Sequence, residues 1–374
     1  MIDRTLSERI TKTLFGGKAV IVLGARQTGK TTLLKSITEQ QPNRMQLNCD
    51  EPIVRTQLQD ANLSDLRNII GDTRLLFIDE AQRVKNIGLT LKLITDNFRE
   101  VQLLVSGSSA LDLASEFKES LAGRKRDYTL YPVSWQEFSA HAGFLQAKSQ
   151  LESRILYGMY PEVITTPGDE EELLYELIDS YLYKDLLSFE GVRKPDLLSK
   201  LVQALALQIG SEVSYNELAQ IVGVDKNTIS SYIDLLEKTF VVFRLPAYST
   251  NARNEISRSR KIYFFDTGIR NAVIGNFNPL TLRTDTGALW ENFLIAERMK
   301  MLGNNRIRAG MHFWRSVTQT EVDYVEVRAG QIRAFEFKWN PKAKKTKPRA
   351  FLNSYDAELT FIDRDTFTAF VLPE

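Results

Sequence analysis

An apolar strand, a glycine-rich loop and a helix follow one another near the start of the chain, and this order constrains the fold more than any other stretch. Residues 19–23 form the continuous apolar run of a buried strand, and Leu33, Leu34 and Ile37 recur at helical spacing after the loop. The loop has the form G-x-x-x-x-G-K-T and comprises Gly24, Ala25, Arg26, Gln27, Thr28, Gly29, Lys30, Thr31 and Thr32. This order predicts a phosphate-binding turn at the edge of a parallel sheet.

The residue types in this loop suit a nucleoside triphosphate. Gly24 and Gly29 allow a tight turn, so the backbone N–H groups of the loop can point at phosphate oxygens. Lys30 would place a cation against the β- and γ-phosphates, and the Thr31 hydroxyl would be a ligand of Mg²⁺. The helix that begins near Lys30 adds the positive end of its dipole. We therefore expect all of these loop residues to bind ATP, with Mg²⁺ as the accompanying ion.

Two acidic residues end the next strongly apolar run of the chain. Leu75 to Ile78 is typical of a fully buried strand, and Asp79 and Glu80 follow it directly. Ligands of open α/β sheets collect at the carboxyl ends of such strands. Asp79 would hold Mg²⁺ through water, and Glu80 would orient and deprotonate the attacking water, which favours hydrolysis over phosphoryl transfer to a small molecule. The alternative is an acid pair that only stabilises a helix N-terminus.

Polar residues after the following strands complete the predicted site. Ser106 or Ser108 is expected to contact the γ-phosphate, with a capped helix start as the alternative. Arg124, with Arg126 as the second choice, stands on a loop from which an arginine can reach the γ-phosphate of a neighbouring subunit. A solvated basic turn is the alternative interpretation of both arginines. A further strand is expected at residues 128–131.

These motifs resemble those of AAA+ ATPases in type and order. They are similar in particular to a prokaryotic group that joins an AAA-type ATPase domain to a DUF4143-type C-terminal domain. The segments that carry the resemblance are Gly24 to Thr32, Phe77 to Gln82, Ser106 to Ser109 and Leu121 to Arg124. The resemblance implies ATP binding and hydrolysis in an oligomer. The helical region that follows shows no clear second sensor arginine, which departs from other AAA+ machines.

Composition and charge exclude several classes of protein. The 374 residues suffice for two or three domains, and 43% hydrophobic with 25% charged residues describe an ordinary globular chain. The net charge of +1 means that any nucleic-acid surface must be a local patch. One cysteine and two histidines argue against a disulfide framework and a zinc site. The lack of a signal-peptide core, and of an apolar run near ~20 residues, predicts a cytoplasmic protein without a membrane partner.

The middle of the chain predicts a helical lid followed by a winged helix. Residues 135–194 are mostly helical in pattern and are expected to cover the nucleotide held by an ATPase domain over residues 1–134. Within residues 195–275, two short helices joined through a glycine turn match helix-turn-helix spacing, and two strands follow. The polar second helix and the basic loop between the strands predict DNA contacts, with protein contacts as the alternative. The predicted DNA-binding residues are Lys226, Asn227, Thr228, Ser231, Arg253, Arg258 and Arg260.

The C-terminal stretch carries a set of carboxylates with one lysine. Glu291 is expected on a helix, Asp323 on a strand, and Glu336 and Lys338 on one face of another strand. Carboxylates hold Mg²⁺ and a lysine stabilises developing charge, so this set is typical of metal-dependent phosphodiesterases. It resembles the PD-(D/E)xK nuclease superfamily, with Glu297 as a substitute helix acid and without the usual proline before the strand aspartate. A salt-bridged sheet edge, or a nuclease fold kept for DNA binding, is the alternative.

Together these patterns predict an α/β fold. It consists of a P-loop parallel sheet of the AAA+ type with a helical lid, a winged helix, and a small α/β nuclease-like domain over residues 276–374. The predicted function is ATP binding and hydrolysis by a homo-oligomeric ring, with a hexamer as one option, that acts on branched or structured DNA. Two alternatives are an ATP-gated switch or scaffold that binds protein without DNA, and a Mg²⁺-dependent nuclease controlled by ATP.

Overall fold

The computed structural model describes residues 1–108, 121–180, 195–249, 260–316 and 318–373. The chain divides into two compact units. The first comprises Met1–Pro132 with Lys238–Phe240, and the second comprises Val133–Glu237 with Val241–Glu374.

The first unit contains one five-stranded parallel sheet in the order β2-β3-β4-β1-β5. Its strands are β1 Ala19–Leu23, β2 Arg44–Asn48, β3 Leu75–Asp79, β4 Gln102–Gly107 and β5 Lys125–Thr129. Its described helices are Thr5–Thr11, Lys30–Glu39, Pro52–Leu58, Leu63–Ile70 and Ile87–Asn97, with a 3₁₀ turn at Ala81–Arg83. The predicted α/β fold with a parallel P-loop sheet is confirmed.

Both faces of this sheet are buried, which explains why its central strands are apolar without alternation. In β1, Val20 and Val22 pack into the core on one face, and Ile21 packs into the core on the other. Parallel sheets covered by helices on both sides require such strands. Strand β4 pairs with β1 on one side and with β3 on the other, so the carboxyl ends of these three strands lie side by side.

The edge strand β5 begins earlier than predicted. The sequence places a strand at residues 128–131, whereas β5 spans Lys125–Thr129 and pairs with β1 from the Ala19–Lys125 register onward. Its first half is polar because an edge strand has one open side and needs no continuous apolar run. The apolar signal therefore marks only its second half.

The second unit combines helices with two small sheets. Its described helices are Trp135–Ala142, Phe144–Ser149, Leu151–Tyr157, Pro161–Thr165, Glu170–Leu177, Pro195–Leu207, Tyr215–Val222, Lys226–Lys238, Thr267–Val273, Thr286–Asn304, Arg349–Ser354 and Thr368–Val371, with a 3₁₀ turn at Leu280–Leu282. Its strands are β6 Glu212–Val213, β7 Val242–Pro246, β8 Arg260–Phe264, β9 Gly310–Arg315, β10 Glu321–Arg328, β11 Gln331–Phe337 and β12 Ala357–Ile362.

Strands β6, β8 and β7 form an antiparallel sheet in that order beside the helices of residues 195–238. The helix Lys226–Lys238 buries Ile229, Ile233 and Leu236, as its periodicity predicts. Tyr232, which follows the polar residues Ser230 and Ser231, is also buried. The helix therefore has a wider apolar face and a narrower polar face than the sequence suggests.

The C-terminal sheet has the order β12-β11-β10-β9 and packs with the long helix Thr286–Asn304. This helix buries charged groups in pairs: Arg298 donates to both carboxylate oxygens of Glu326 at 2.7 and 2.8 Å. Paired charges tolerate burial that single charges do not. Among the described helices, none combines the length and the hydropathy that crossing a membrane requires.

We predict that Gly268→Ala destabilises the second unit by about 2–3 kcal/mol. A Cβ at this position would lie 2.2 Å from the carbonyl oxygen of Tyr157, because the start of the helix Thr267–Val273 approaches that backbone closely. Urea unfolding followed by tryptophan fluorescence measures this effect, because all four tryptophans belong to the second unit.

Gly287→Ala is the matched control, because a Cβ there meets nothing within 4 Å and alanine is the better helix former. We expect Gly287→Ala to leave stability unchanged or slightly raised. Equal stability of the two variants would contradict the close approach.

Candidate active site

The loop after β1 is fixed by the backbone of the chain that follows β5. The Leu130 N–H donates to the Leu23 carbonyl oxygen at 2.7 Å, and a Cβ on Gly24 would lie 2.1 Å from the Leu130 carbonyl oxygen. Only glycine fits at this first loop position. Gln27 within the loop also has a positive φ of 56°, which is uncommon for a residue with a side chain.

The Lys30 amine lies inside the loop and is bound by the loop's own carbonyl groups. Its Nζ donates to the Gly24 oxygen at 3.0 Å and to the Ala25 oxygen at 2.7 Å, and the residue is 4% exposed. Burial lowers the pKa of Lys30 to about 8, against the opposing effect of Glu80 and Asp79. The amine stands where a phosphate oxygen would take over from the carbonyl groups.

Asp79 at the end of β3 meets hydroxyl groups from two neighbouring elements. The Thr31 hydroxyl donates to Asp79 Oδ1 at 3.1 Å, and the Ser106 hydroxyl donates to the same oxygen. The Ser106 oxygen also accepts from the Glu80 N–H at 3.0 Å. A hydroxyl and a carboxylate at this spacing fit Mg²⁺, which prefers hard oxygen ligands and keeps several waters.

Glu80 is held by a residue that the sequence analysis did not assign a role. The Gln82 amide donates to Glu80 Oε2 at 2.5 Å and to the Ser108 hydroxyl at 2.8 Å. Gln82 thereby joins the end of β3 to the end of β4. In the sequence, only its position two residues after Glu80 pointed to a role for Gln82 at the site. A glutamine at that position does not by itself indicate a site residue.

Arg4 is a second residue that the sequence analysis missed. Its guanidinium donates to the Thr28 carbonyl oxygen at 2.7 Å and to the Tyr131 carbonyl oxygen at 2.6 Å. Arg4 therefore links the loop to the segment that follows β5. No local pattern marks it, because its partners are backbone groups 24 and 127 residues away.

The predicted arginines Arg124 and Arg126 lie at the other end of the sheet. Strand β5 begins at Lys125 beside Ala19, the first residue of β1, whereas the loop follows the last residue of β1. Arg124 is exposed, donates to Asp96 Oδ1 at 2.5 Å, and lines an open cavity of about 530 Å³. The structure therefore does not bring either arginine to Lys30 of the same chain.

The predicted carboxylate set of the second unit does come together. Lys338 Nζ lies 3.1 Å from Glu336 Oε2 and 4.0 Å from Asp323 Oδ2. Glu291, Glu321 and Asp323 each offer an oxygen within 4.8 Å of the others, although Glu321 was not predicted. Burial, with the charge of Asp323 second, raises the pKa of Glu336 to about 7. Burial also raises the pKa of Glu291 to about 7, against the opposing effect of Lys261.

Glu297, the predicted substitute helix acid, does not belong to this set. It accepts from the Trp135 N–H at 2.5 Å and pairs with Lys300 at 2.7 Å in the buried core. Glu297 lies six residues after Glu291, which at 3.6 residues per turn places the two side chains about 120° apart around the helix. The two acids therefore face different surroundings, and the sequence alone does not show which of them faces the strands.

The predicted DNA-binding residues differ in how exposed they are and in whether they already contact other residues. Lys226, Asn227 and Ser231 are exposed on one helix, whereas the Thr228 hydroxyl donates to Asp225 at 2.5 Å as part of the helix start. The Arg260 guanidinium lies over the Tyr215 ring, 5.0 Å from its centroid. The other two predicted arginines, Arg253 and Arg258, lie outside the described residues.

We predict that the unfolding free energy of the nucleotide-free protein rises, relative to Lys30→Met, between pH 8 and pH 10. Folded Lys30 loses its proton near pH 8, whereas the unfolded side chain keeps it to about 10.5. The unfolded state then binds more protons, so stability rises with pH, by up to about 3 kcal/mol. Urea unfolding followed by circular dichroism measures the difference, and a flat difference over this range would contradict the burial of a charged amine.

Three family models match the chain in succession. A model described as an AAA domain matches residues 16–139. Models described as domains of unknown function, DUF8612 and DUF4143, match residues 148–280 and 286–366. The first match contains the loop, Asp79 and Glu80, and the third contains the carboxylate set.

Relatives with sequence similarity extend over most of the chain. The uncharacterised protein Rv2008c of Mycobacterium tuberculosis is 29% identical over 342 residues, which cover 90% of this chain and 73% of that protein. The uncharacterised protein MJ1544 of Methanocaldococcus jannaschii is 25% identical over 317 residues, which cover 79% of this chain and 69% of that protein.

One solved structure supports the fold. The Walker-type ATPase PABY2304 of Pyrococcus abyssi superposes with a TM-score of 0.50 and 15% identity, over 73% of this chain and 96% of that chain. At this identity the likeness concerns the fold alone. The matched AAA domain, its phosphate-binding loop and the matched C-terminal segment lead to one assignment. The chain is an AAA-type ATPase with a DUF4143-type C-terminal domain.

Proposed function

We propose that the chain binds ATP and hydrolyses it between the loop Gly24 to Thr32 and the acids that end β3. The observation that carries this proposal is the contact between Thr31 and Asp79, which joins the loop's helix to β3 at 3.1 Å. With Lys30 buried in the loop, one cation, one hydroxyl and one carboxylate surround the place where the terminal phosphates would lie. These residue types suit that ligand.

Binding would exchange the partners of Lys30 and Thr31. Lys30 would transfer its hydrogen bonds from the Gly24 and Ala25 carbonyl groups to the β- and γ-phosphates. Thr31 would hold Mg²⁺ directly, and Asp79 would hold it through water. The ion, when bound, neutralises charge on the phosphate oxygens.

Glu80 would accept the proton of the attacking water. In the described arrangement its carboxylate is bound by Gln82, and the same amide reaches Ser108 at the end of β4. A phosphate oxygen at Ser108 would compete for that hydroxyl and change the hold of Gln82 on Glu80. This link supports Gln82 and Ser108 as the groups that couple the state of the γ-phosphate to the base.

We further propose that Arg124 completes the site of a neighbouring copy in a homo-oligomeric ring. Arg124 lies at the opposite sheet edge from the loop, so it could serve only another chain's nucleotide. Arg126 stays the second choice. Arg124 is exposed and pairs with Asp96, which is also on the surface. Because exposed ion pairs contribute little free energy, Arg124 can leave Asp96 for a phosphate at low energetic cost.

Contact with branched or structured DNA is the finer part of the proposal. Its support is the second unit's three-stranded sheet, whose order β6-β8-β7 beside three helices suits a winged helix. Lys226, Asn227 and Ser231 project from the helix that would face DNA. The division of this unit into lid, winged helix and nuclease-like domain belongs to the same proposal.

Two alternative functions predict different experimental results. An ATP-gated switch or scaffold would use the same surface for a protein, and its binding would not follow the salt dependence of phosphate contacts. A Mg²⁺-dependent nuclease would use Glu291, Asp323, Glu336 and Lys338.

We predict that Glu80→Gln and Arg124→Ala each abolish ATP hydrolysis, and that their equimolar mixture recovers about one quarter of the wild-type rate. Glu80→Gln removes the base but keeps binding, and Arg124→Ala leaves the base intact. In a mixed ring, one interface in about four pairs an intact Glu80 with an intact Arg124. Steady-state phosphate release measures the recovery.

Arg74→Ala is the matched control, because Arg74 is an exposed arginine at the same sheet edge and pairs with Glu100 at 3.0 Å. It should hydrolyse ATP at the wild-type rate. Normal hydrolysis by Arg124→Ala alone would mean that another arginine reaches across, and Arg126→Ala would then be tested. A mixture that recovers no activity, when each variant is inactive alone, would contradict a contribution of Arg124 to the neighbouring site.

We predict salt-dependent binding to a four-way DNA junction, measured by fluorescence anisotropy between about 50 and 200 mM salt, a range over which phosphate contacts weaken strongly. Lys226→Ala should weaken binding and lower the slope of log Kd against log salt by about 1. Lys148→Ala, an exposed lysine on a different helix, should change neither quantity. A Kd that does not change with salt concentration, or no binding to DNA at all, would favour the alternative of a switch or scaffold that binds protein.

A further inference from the structure

The carboxylate cluster of the second unit has the ligand chemistry of a divalent metal site. Glu291, Glu321 and Asp323 bring three carboxylate oxygens within 4.8 Å of one another, from a helix and from β10. Three such oxygens are the ligands that Mg²⁺ and Mn²⁺ prefer. Whether an ion fits depends on what already lies between them.

A lysine from β8 already contacts two of these carboxylates. Lys261 Nζ lies 2.9 Å from Glu291 Oε1 and forms an ion pair with Glu321. The Lys261 side chain is 1% exposed, and its Nζ is 5.4 Å from the centroid of the Phe313 ring. The ammonium is therefore committed to the cluster and shielded from water.

The strand that carries Lys261 is fixed to the helix that carries Glu291. The Asn292 side chain accepts from the Phe264 N–H at 2.9 Å and donates to the Phe264 carbonyl oxygen at 2.8 Å. Tyr263, two residues after Lys261, donates its hydroxyl to Glu291. These contacts leave Lys261 little freedom to withdraw.

The other carboxylates of the set also have protein partners. Lys338 pairs with Glu336 at 3.1 Å and lies 4.0 Å from Asp323, whose Oδ2 also accepts from the Phe337 N–H at 2.7 Å. A divalent ion held between Glu291 and Glu321 would stand close to the Lys261 ammonium and be repelled by it. The cluster of Glu291, Glu321 and Asp323 therefore does not fit a metal ion while Lys261 is in place.

We propose that Lys261 fills the cation position of this cluster, so that the C-terminal domain keeps its carboxylates ordered without a divalent ion. Lys261 is a positioning residue that takes the structural part of a metal's role. Mg²⁺-dependent cleavage that needs a metal ion at Glu291, Glu321 and Asp323 is then not expected of the native chain. Removing the ammonium converts the same carboxylates into a metal site.

The test measures Mn²⁺ binding to the nucleotide-free full chain by electron paramagnetic resonance, which reports the free ion. Every protein in this test carries Asp79→Asn, so that the nucleotide site binds equally little Mn²⁺ in each. The protein with Asp79→Asn alone is the parent to which the other variants are compared. We expect Lys261→Met to gain one Mn²⁺ site per chain, at least about tenfold tighter than any binding by the parent, and to lose it when Asp323→Asn is added.

Lys300→Met is the matched control, because Lys300 is an equally buried lysine paired with Glu297 at 2.7 Å outside the cluster. It should gain no site. A folded Lys261→Met that binds no additional Mn²⁺ would overturn the proposal.

Asp323→Asn alone in the parent keeps the proposal testable if Lys261→Met does not fold. We expect Mn²⁺ binding by the parent to be unchanged by this substitution. Parent binding that Asp323→Asn abolishes would show that the native cluster takes a metal ion beside Lys261, and the proposal would be wrong.

Discussion

The insertion of β4 between β1 and β3 is the constraint on which the first unit depends. Because all three strands run parallel, their carboxyl ends meet at one edge, and each end carries a different group. The loop of Lys30 follows β1, Asp79 ends β3, and Ser106 lies one residue before the end of β4. A different strand order would leave the same motifs in the sequence but separate Thr31 from Asp79. Sheet pairing, rather than any single side chain, therefore assembles the site.

The second unit shows an additional principle, since it buries charges in pairs beside its apolar core. Arg298 with Glu326, Glu297 with Lys300, and Lys261 with Glu291 are all pairs with little or no exposure. Such pairs add little net stability over apolar residues, but removing one partner is costly because the other charge stays buried. Arg298 with Glu326 and Lys261 with Glu291 each join the helix Thr286–Asn304 to a strand, so these two pairs define which helix face meets which strand. This property also explains why a lysine can stand in for an ion there.

The sequence was sufficient where a local pattern and its physical cause coincide. The run Leu75 to Ile78 is both fully apolar and fully buried, and the loop before Lys30 has the form of a phosphate-binding turn. Prediction failed where partners are distant or where burial does not follow polarity. Arg4 and Gln82 act through contacts that no short motif records. Lys261 looks like a surface lysine in the sequence, and only the packing of β8 on the helix of Glu291 reveals its burial.

The position of Arg124 has a consequence for symmetry. Each chain presents a nucleotide loop at one edge of its sheet and this arginine at the other, so the two surfaces that would meet are unlike. A two-fold axis would pair them only if one interface patch held both groups, because residue i of one copy then meets residue j of the other and the reverse. If the two groups lie on separate patches, copies would follow one another head to tail, and the rotation between neighbours would decide whether they close a circle or continue as a filament.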